Sequence, residues 1–206
     1  MAIFLTIIGI SIAVLAIYWY IKNKRERERK KRELDELLRK QREEKRQQLV
    51  ALFTELAPKV TKANKEFEKL TSVKNGYFSN YQLHVWKSTQ NKLFAEIDGQ
   101  PYTNIQLDTA IVSSLDKFSS YYKQSGSLRS SFIKKFIASE LKEYSSFFDN
   151  IEGRSLDEQQ RIAVVTDEDN CLIVAGAGTG KTTTIAGKVA YLIKRYKLNP
   201  SEILPI

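Results

Sequence analysis

The run Ala175-Gly176-Ala177-Gly178-Thr179-Gly180-Lys181-Thr182 has glycine at every second position and closes on a lysine and a hydroxyl. Glycine tolerates backbone angles that turn successive N–H groups toward one point, and such a nest of amide dipoles holds an anion. Lys181 adds positive charge for the β- and γ-phosphate oxygens of a nucleoside triphosphate, and the Thr182 hydroxyl suits Mg²⁺. Ahead of the run, Leu172-Ile173-Val174 reads as a short buried parallel strand. Behind it, Thr183 to Arg195 reads as a helix with Ile185, Val189, Leu192 and Ile193 on one face. The positive end of that helix would point at the phosphates. Strand, glycine loop, Lys-Thr and helix is the order of a phosphate-binding loop. The usual GxxxxGK[ST] pattern opens on glycine, where this chain has Ala175. The competing reading of the same residues is a glycine-rich turn with no ligand.

Composition narrows the remaining chemistry. The 206 residues include one cysteine, Cys171, and one histidine, His84. A disulfide framework, a cysteine-only metal site and histidine-centred catalysis are thereby set aside. The length allows one domain with appendages or two small domains. Charge is uneven: residues 2–21 carry none, whereas residues 22–48 hold 13 Lys/Arg and 7 Asp/Glu, supplying +6 of the net +9.

Ala2 to Ile21 is interrupted only by the weakly polar Thr6, Gly9 and Ser11. Twenty helical residues span about 30 Å, the thickness of a hydrocarbon core. Tyr18, Trp19 and Tyr20 sit where interfacial rings belong, and KNKRERERKKR follows on the side that stays cytoplasmic. The pattern predicts a single-pass anchor in the inner or plasma membrane, N-terminus out, with the bulk of the chain cytoplasmic. A cleaved signal peptide and a buried core helix fit less well, for want of a charged start, a small-residue cleavage site or a polar face.

Residues 22–48 contain no glycine or proline and carry acid-before-base pairs such as Glu26–Lys30, Glu28–Arg32 and Glu36–Lys40. They read as a solvated helical stalk whose basic face could also meet anionic lipid; DNA binding by the same run is the weaker alternative. Residues 39–48 hold no apolar side chain, which excludes a continuous coiled-coil seam. From Val50 to Arg154 the pattern predicts helices: one opened by Pro58 and running to about Ser72, one from Leu107 to Tyr122, and one from Leu128 to Phe148. Tyr77 to Tyr102 reads as irregular. Aromatics interleaved with lysine there could stack single-stranded bases, but a small helical core is the favoured reading for Tyr77, Phe78, Tyr81 and Trp86.

Upstream of the glycine loop stands Leu156-Asp157-Glu158-Gln159-Gln160-Arg161-Ile162-Ala163-Val164. Together with Ala175–Thr182 this resembles superfamily 1 DNA helicases of the UvrD/Rep type, in particular the helicase IV-like branch. That family has Leu-x-x-x-Gln-x-x-Ala-Val, then a strand, then AGAG[ST]GKT. The likeness runs over about residues 128–206, with its specific motifs in 156–182. It implies that Gln160 reads adenine. Ala175, Gly176, Ala177, Gly178, Thr179, Gly180, Lys181, Thr182 and Thr183 would hold ATP, with Mg²⁺ on Thr182 and the catalytic roles on Lys181 and Thr182. A P-loop kinase or transporter ATPase lacks the Gln160 segment at this spacing.

The expected architecture is mixed: a transmembrane helix and a mainly α accessory region, then the truncated start of an α/β, RecA-like P-loop domain. Its expected divisions are an anchor (1–21), a charged stalk (22–56), a helical accessory region (57–150) and an incomplete ATP-binding domain (151–206). The resemblance implies the N-terminal part of a membrane-tethered ATP-dependent DNA helicase that moves on single-stranded DNA through parts lying beyond these residues. The family's Asp-Glu pair and γ-phosphate arginines are absent, so the chain alone is expected to be inactive. The alternative is a non-catalytic, membrane-anchored interaction protein with a relic loop.

Overall fold

The computed structural model describes the backbone of residues 2–203, and side chains from Leu15 to Ile203. The chain divides into two units, residues 1–53 with 102–106, and residues 54–101 with 107–206.

The first unit is carried by the opening part of helix α1 (Ala2–Leu70). Its charged stretch is solvated: Glu26–Lys30, Arg29–Glu33, Glu36–Lys40 and Glu43–Arg46 pair along one exposed helix at 3.8, 2.8, 3.1 and 2.7 Å. Phe53 is fully buried and meets Tyr102 edge-on at 5.6 Å.

Among the described residues no helix is long and apolar enough to cross a membrane. The expected membrane anchor, the single-pass location and the lipid contact are therefore corrected. Side chains of residues 2–14 lie outside the described ones. From Leu15 the uncharged stretch ends before Lys22, at Ile21. Where its side chains are described, α1 is dominated by the charged run that starts at Lys22, which a hydrocarbon core does not accept.

The second unit holds residues 54–70 of α1, then α2 (Asn80–Ile97), α3 (Thr109–Glu143), α4 (Ser145–Phe148), α5 (Glu158–Val165) and α6 (Lys181–Tyr196). Leu56, Val60, Ala63 and Phe67 recur at three- and four-residue steps and are all buried, forming the stripe that α1 presents to α2 and α3. Opposite them lie Trp86, Leu115 and Phe118, with Phe67 stacked on Tyr121 at 4.6 Å and Phe94 on Tyr122 at 4.0 Å. The Trp86 indole N–H donates to the Ala63 carbonyl at 3.3 Å, satisfying a buried donor.

Three expectations about helices change. Pro58 stands inside α1 rather than at a new start, held there by the buried Leu56 and Val60 on either side. The stretch read as irregular is mostly α2, nucleated by a capping box in which Ser79 Oγ accepts from Gln82 N and Gln82 Oε1 accepts from Ser79 N. Finally, α3 passes unbroken through Ser125-Gly126-Ser127, because Ser125 is buried and its hydroxyl donates to the Tyr122 carbonyl.

The largest correction concerns the expected α/β P-loop domain. Among the described residues there is no strand, only an isolated antiparallel bridge between Ile151 and Arg154. Leu172, Ile173 and Val174 are irregular and 90%, 44% and 87% exposed. A parallel strand is stable only between neighbouring strands that take up its N–H and C=O groups and beneath helices that cover its faces. Here the segment has no neighbouring strand among the described residues, and residues 151–203 pack through α5 and α6 with an irregular stretch between them.

Candidate functional site

The glycine loop is set between two helices whose mutual packing is tight. Gly187 on α6 faces α5: a Cβ there would meet Leu156 at 3.1 Å and Val164 at 3.4 Å. Phe148, Ile151, Leu156, Val164, Val165 and Tyr191 form one buried cluster under this contact. The N-terminus of α6 is thereby fixed relative to the N-terminus of α5, and these two ends carry the candidate residues.

At the start of α5, Asp157 and Gln160 form a reciprocal cap. Asp157 Oδ1 accepts from Gln160 N, and Gln160 Oε1 accepts from Asp157 N, both at 2.9 Å. The other end of the same amide, Nε2, donates to the Thr179 carbonyl at 3.0 Å. Gln160 therefore ties the cap of α5 to the glycine loop. Gly180 caps α6 with φ +83°, and an added Cβ would lie 2.7 Å from Gln160 Nε2. Both conformation and proximity restrict that position to glycine. Gly178, at φ +78°, makes the preceding turn, and Thr179 Oγ1 donates to the Gly176 carbonyl at 2.8 Å.

Lys181 is exposed, and its ammonium lies back over the loop, donating to the carbonyls of Ala175 at 2.9 Å and Gly176 at 2.8 Å. Gln160, Ala175, Thr179 and Lys181 line one cavity of about 510 Å³ together with Leu172–Val174. Asp157, Ala163 and Thr184, which sequence reasoning did not single out as site residues, line it too. The D-x-x-Q capping sequence was the available signal for Asp157. Thr182 is exposed at the first turn of α6, whereas Thr183 is buried, and neither lines the cavity. Gly176, Ala177, Gly178 and Gly180 contribute loop backbone.

A second set of bonds fixes α6 from the far side. Glu140 on α3 is fully buried and accepts from the Tyr191 hydroxyl at 2.6 Å and from Arg195 Nε at 3.1 Å. Arg195 also donates to the Val73 carbonyl at 2.8 Å. Burial, reinforced by the carboxylate it bonds, pushes the Tyr191 hydroxyl far above the ordinary tyrosine range. Burial pulls Arg195 down, and Glu140 more than offsets it, leaving the guanidinium raised. The loop leading to Leu172–Val174 is held as well. Glu168 accepts from Tyr77 Oη at 3.0 Å, from Asn80 N at 2.6 Å and from Arg129, while Asp169 accepts from Tyr81 N at 2.7 Å. Two carboxylates thus sit at the positive end of α2.

This geometry coincides with a sequence likeness. Residues 156–206 match the family described as UvrD/REP helicase N-terminal domain. The likeness to UvrD/Rep-type helicases, including the helicase IV branch, is shown over this stretch, which holds both the Gln160 cap and the glycine loop. DNA helicase IV of Escherichia coli is 39% identical over 64 residues, 31% of this chain and 9% of that protein. ATP-dependent DNA helicase UvrD1 of Mycobacterium leprae is 53% identical over 51 residues, 25% of this chain and 7% of its own length. The Rep helicase of Buchnera aphidicola from Acyrthosiphon pisum is 42% identical over 52 residues, 25% and 8% of the two chains. The matched stretch thus spans less than a tenth of each of these relatives. No solved structure gives a significant match.

Proposed function

We propose that residues 156–206 are the opening of the ATP-binding part of a UvrD-like DNA helicase, and that the cavity between α5 and α6 takes MgATP. The observation that carries this reading is the convergence of Gln160, Thr179 and Lys181 on one cavity, from segments 19 and 21 residues apart in sequence.

The residues present fit the group. The glycine loop offers backbone amides at a helix N-terminus, and Lys181 needs only to exchange two carbonyls for phosphate oxygens, a stronger charge-assisted pairing. Among the described residues no cluster of His, Cys, Asp or Glu could hold a metal by itself. Mg²⁺ commonly arrives on the phosphates and takes one or two protein ligands; the exposed Thr182 hydroxyl, next to Lys181 but outside the cavity lining, would serve as one. The bound ion would neutralise charge on the phosphate oxygens. Gln160 would present its amide to the adenine edge at the expense of the Thr179 bond, so that filling the base site releases the loop.

Among the described residues Asp157 is the sole carboxylate lining the cavity, and its Oδ1 is engaged in the α5 cap. Binding without turnover is therefore expected of these 206 residues. DNA is the proposed partner of the whole protein. The exposed Leu172–Val174 and the occupied Lys181 favour one second reading, an interaction protein with a relic loop. Titrating labelled ATP with Mg²⁺ into the full chain separates the two. Saturable binding weakened about tenfold or more by Lys181→Ala, as loss of a charged hydrogen-bond partner predicts, supports the nucleotide site. Binding absent, or indifferent to Lys181, selects the relic.

A further inference from the structure

A groove unrelated to the glycine loop runs between residues 58–70 of α1 and the facing side of α2. Two hollows of about 520 and 370 Å³ make up this groove, and a third of about 530 Å³, lined by α1 alone, adjoins them; all three share Glu66. Lys59, Lys62, Lys65 and Lys69 stand along its α1 wall at steps of three and four residues, all exposed. That spacing puts one ammonium about every 5 Å along a single helix face. Lys59 pairs with Glu55, whereas Lys62 and Lys69 make no ion pair among the described residues. Lys92 faces them from α2, and Glu66 and Glu96 are the groove's carboxylates, leaving its lining net positive.

One end of the groove is aromatic. Trp86 is buried in the helical core and Tyr77 is tied to Glu168, as a packing role requires. Tyr81 differs. Its backbone N–H is pinned by Asp169 at the start of α2, yet the residue is 65% exposed, joins no aromatic pair among the described residues and lines the groove. A rigidly mounted, bare ring beside a ladder of ammonium groups combines a stacking surface with phosphate contacts.

We propose that this groove binds single-stranded nucleic acid, a nucleobase stacking on Tyr81 and backbone phosphates lying along Lys62, Lys65 and Lys69. An amphipathic peptide helix needs a stripe of apolar anchors, and the α1–α2 groove exposes only two large apolar side chains, Tyr81 and Val85. A duplex would offer phosphates but no open base face. The proposal is independent of the nucleotide reading.

The test is fluorescence anisotropy of a labelled thymidine oligomer titrated with the full chain at several salt concentrations. Expected are saturable binding, a loss of about tenfold with Tyr81→Ala that Tyr81→Phe restores, and a flatter salt dependence with Lys62→Ala plus Lys69→Ala. Each phosphate contact on a single strand contributes about 0.7 to that log–log slope, so the double variant should lower it by about 1.4. Circular dichroism of each variant confirms that α2 is intact. Binding that survives all three substitutions assigns the nucleic acid to the charged stretch at residues 22–32 and overturns the proposal. No binding, equal affinity for duplex, or preference for an acidic peptide overturns it too.

Discussion

Helix α6 and the segment Leu172–Val174 flank the same glycine loop and have opposite fates. α6 is gripped by α5 through the bare Cα of Gly187, by α3 through Glu140, and by the turn after α1 through Arg195 and Val73. The β-branched segment is largely in solvent. A helix satisfies its backbone internally and asks its surroundings only for a surface to cover its apolar face, whereas a strand must find its hydrogen-bond partners elsewhere. Local pattern therefore suffices for the helix and fails for the strand.

The contrast is broken most severely at Glu140. Glu140→Ala leaves the buried Tyr191 hydroxyl without its acceptor and the Arg195 guanidinium with only the Val73 carbonyl, and losing one partner of a buried pair costs about 3–5 kcal/mol. For a chain of this size, that corresponds to a fall of roughly 10 °C in the thermal midpoint, read by circular dichroism. Next in size is Gly187→Leu, which drives a side chain into Leu156 and Val164 and should cost about 1–3 kcal/mol in a urea titration.

The Tyr191 hydroxyl gives a smaller effect with a defined sign. Its proton is held more tightly in the folded protein than in the unfolded chain, so this contribution is complete below the unfolded value near 10. It declines as pH rises further, by about 1 kcal/mol between pH 10 and 11, because the unfolded state loses its proton first. Urea midpoints measured across that interval should fall less steeply in Tyr191→Phe. Smallest is Leu172→Ala. A side chain 90% exposed contributes within about 0.5 kcal/mol, and a larger loss would mean that the segment is packed after all.

Much of the site was readable as residue type and spacing. The glycine loop, the lysine, the helix behind them and the distant Gln160 all carry local signatures, and the cavity gathers Gln160, Thr179 and Lys181. Their link was not readable: Gln160 reaching the Thr179 carbonyl depends on how α5 packs on α6. The helical layer was legible where apolar spacing was regular, as in α3, though that helix was read as two pieces parted at Ser125-Gly126-Ser127, and it was missed in α2. There the scattered aromatics Tyr77, Phe78, Tyr81 and Trp86, with breaks at Asp98-Gly99 and Pro101, obscured the Ser79–Gln82 cap. The membrane reading drew on the apolar run of residues 2–21 and its flanks. Among the described residues no helix meets the length and apolarity a span requires.

The central claim concerns the amides and the lysine between Ala175 and Thr182, and isothermal calorimetry of MgATP with the full chain addresses it most directly. One-site binding that weakens at least about tenfold in Lys181→Ala, with a smaller loss in Gln160→Ala, is the outcome predicted here. Equal heats from all three proteins would contradict it.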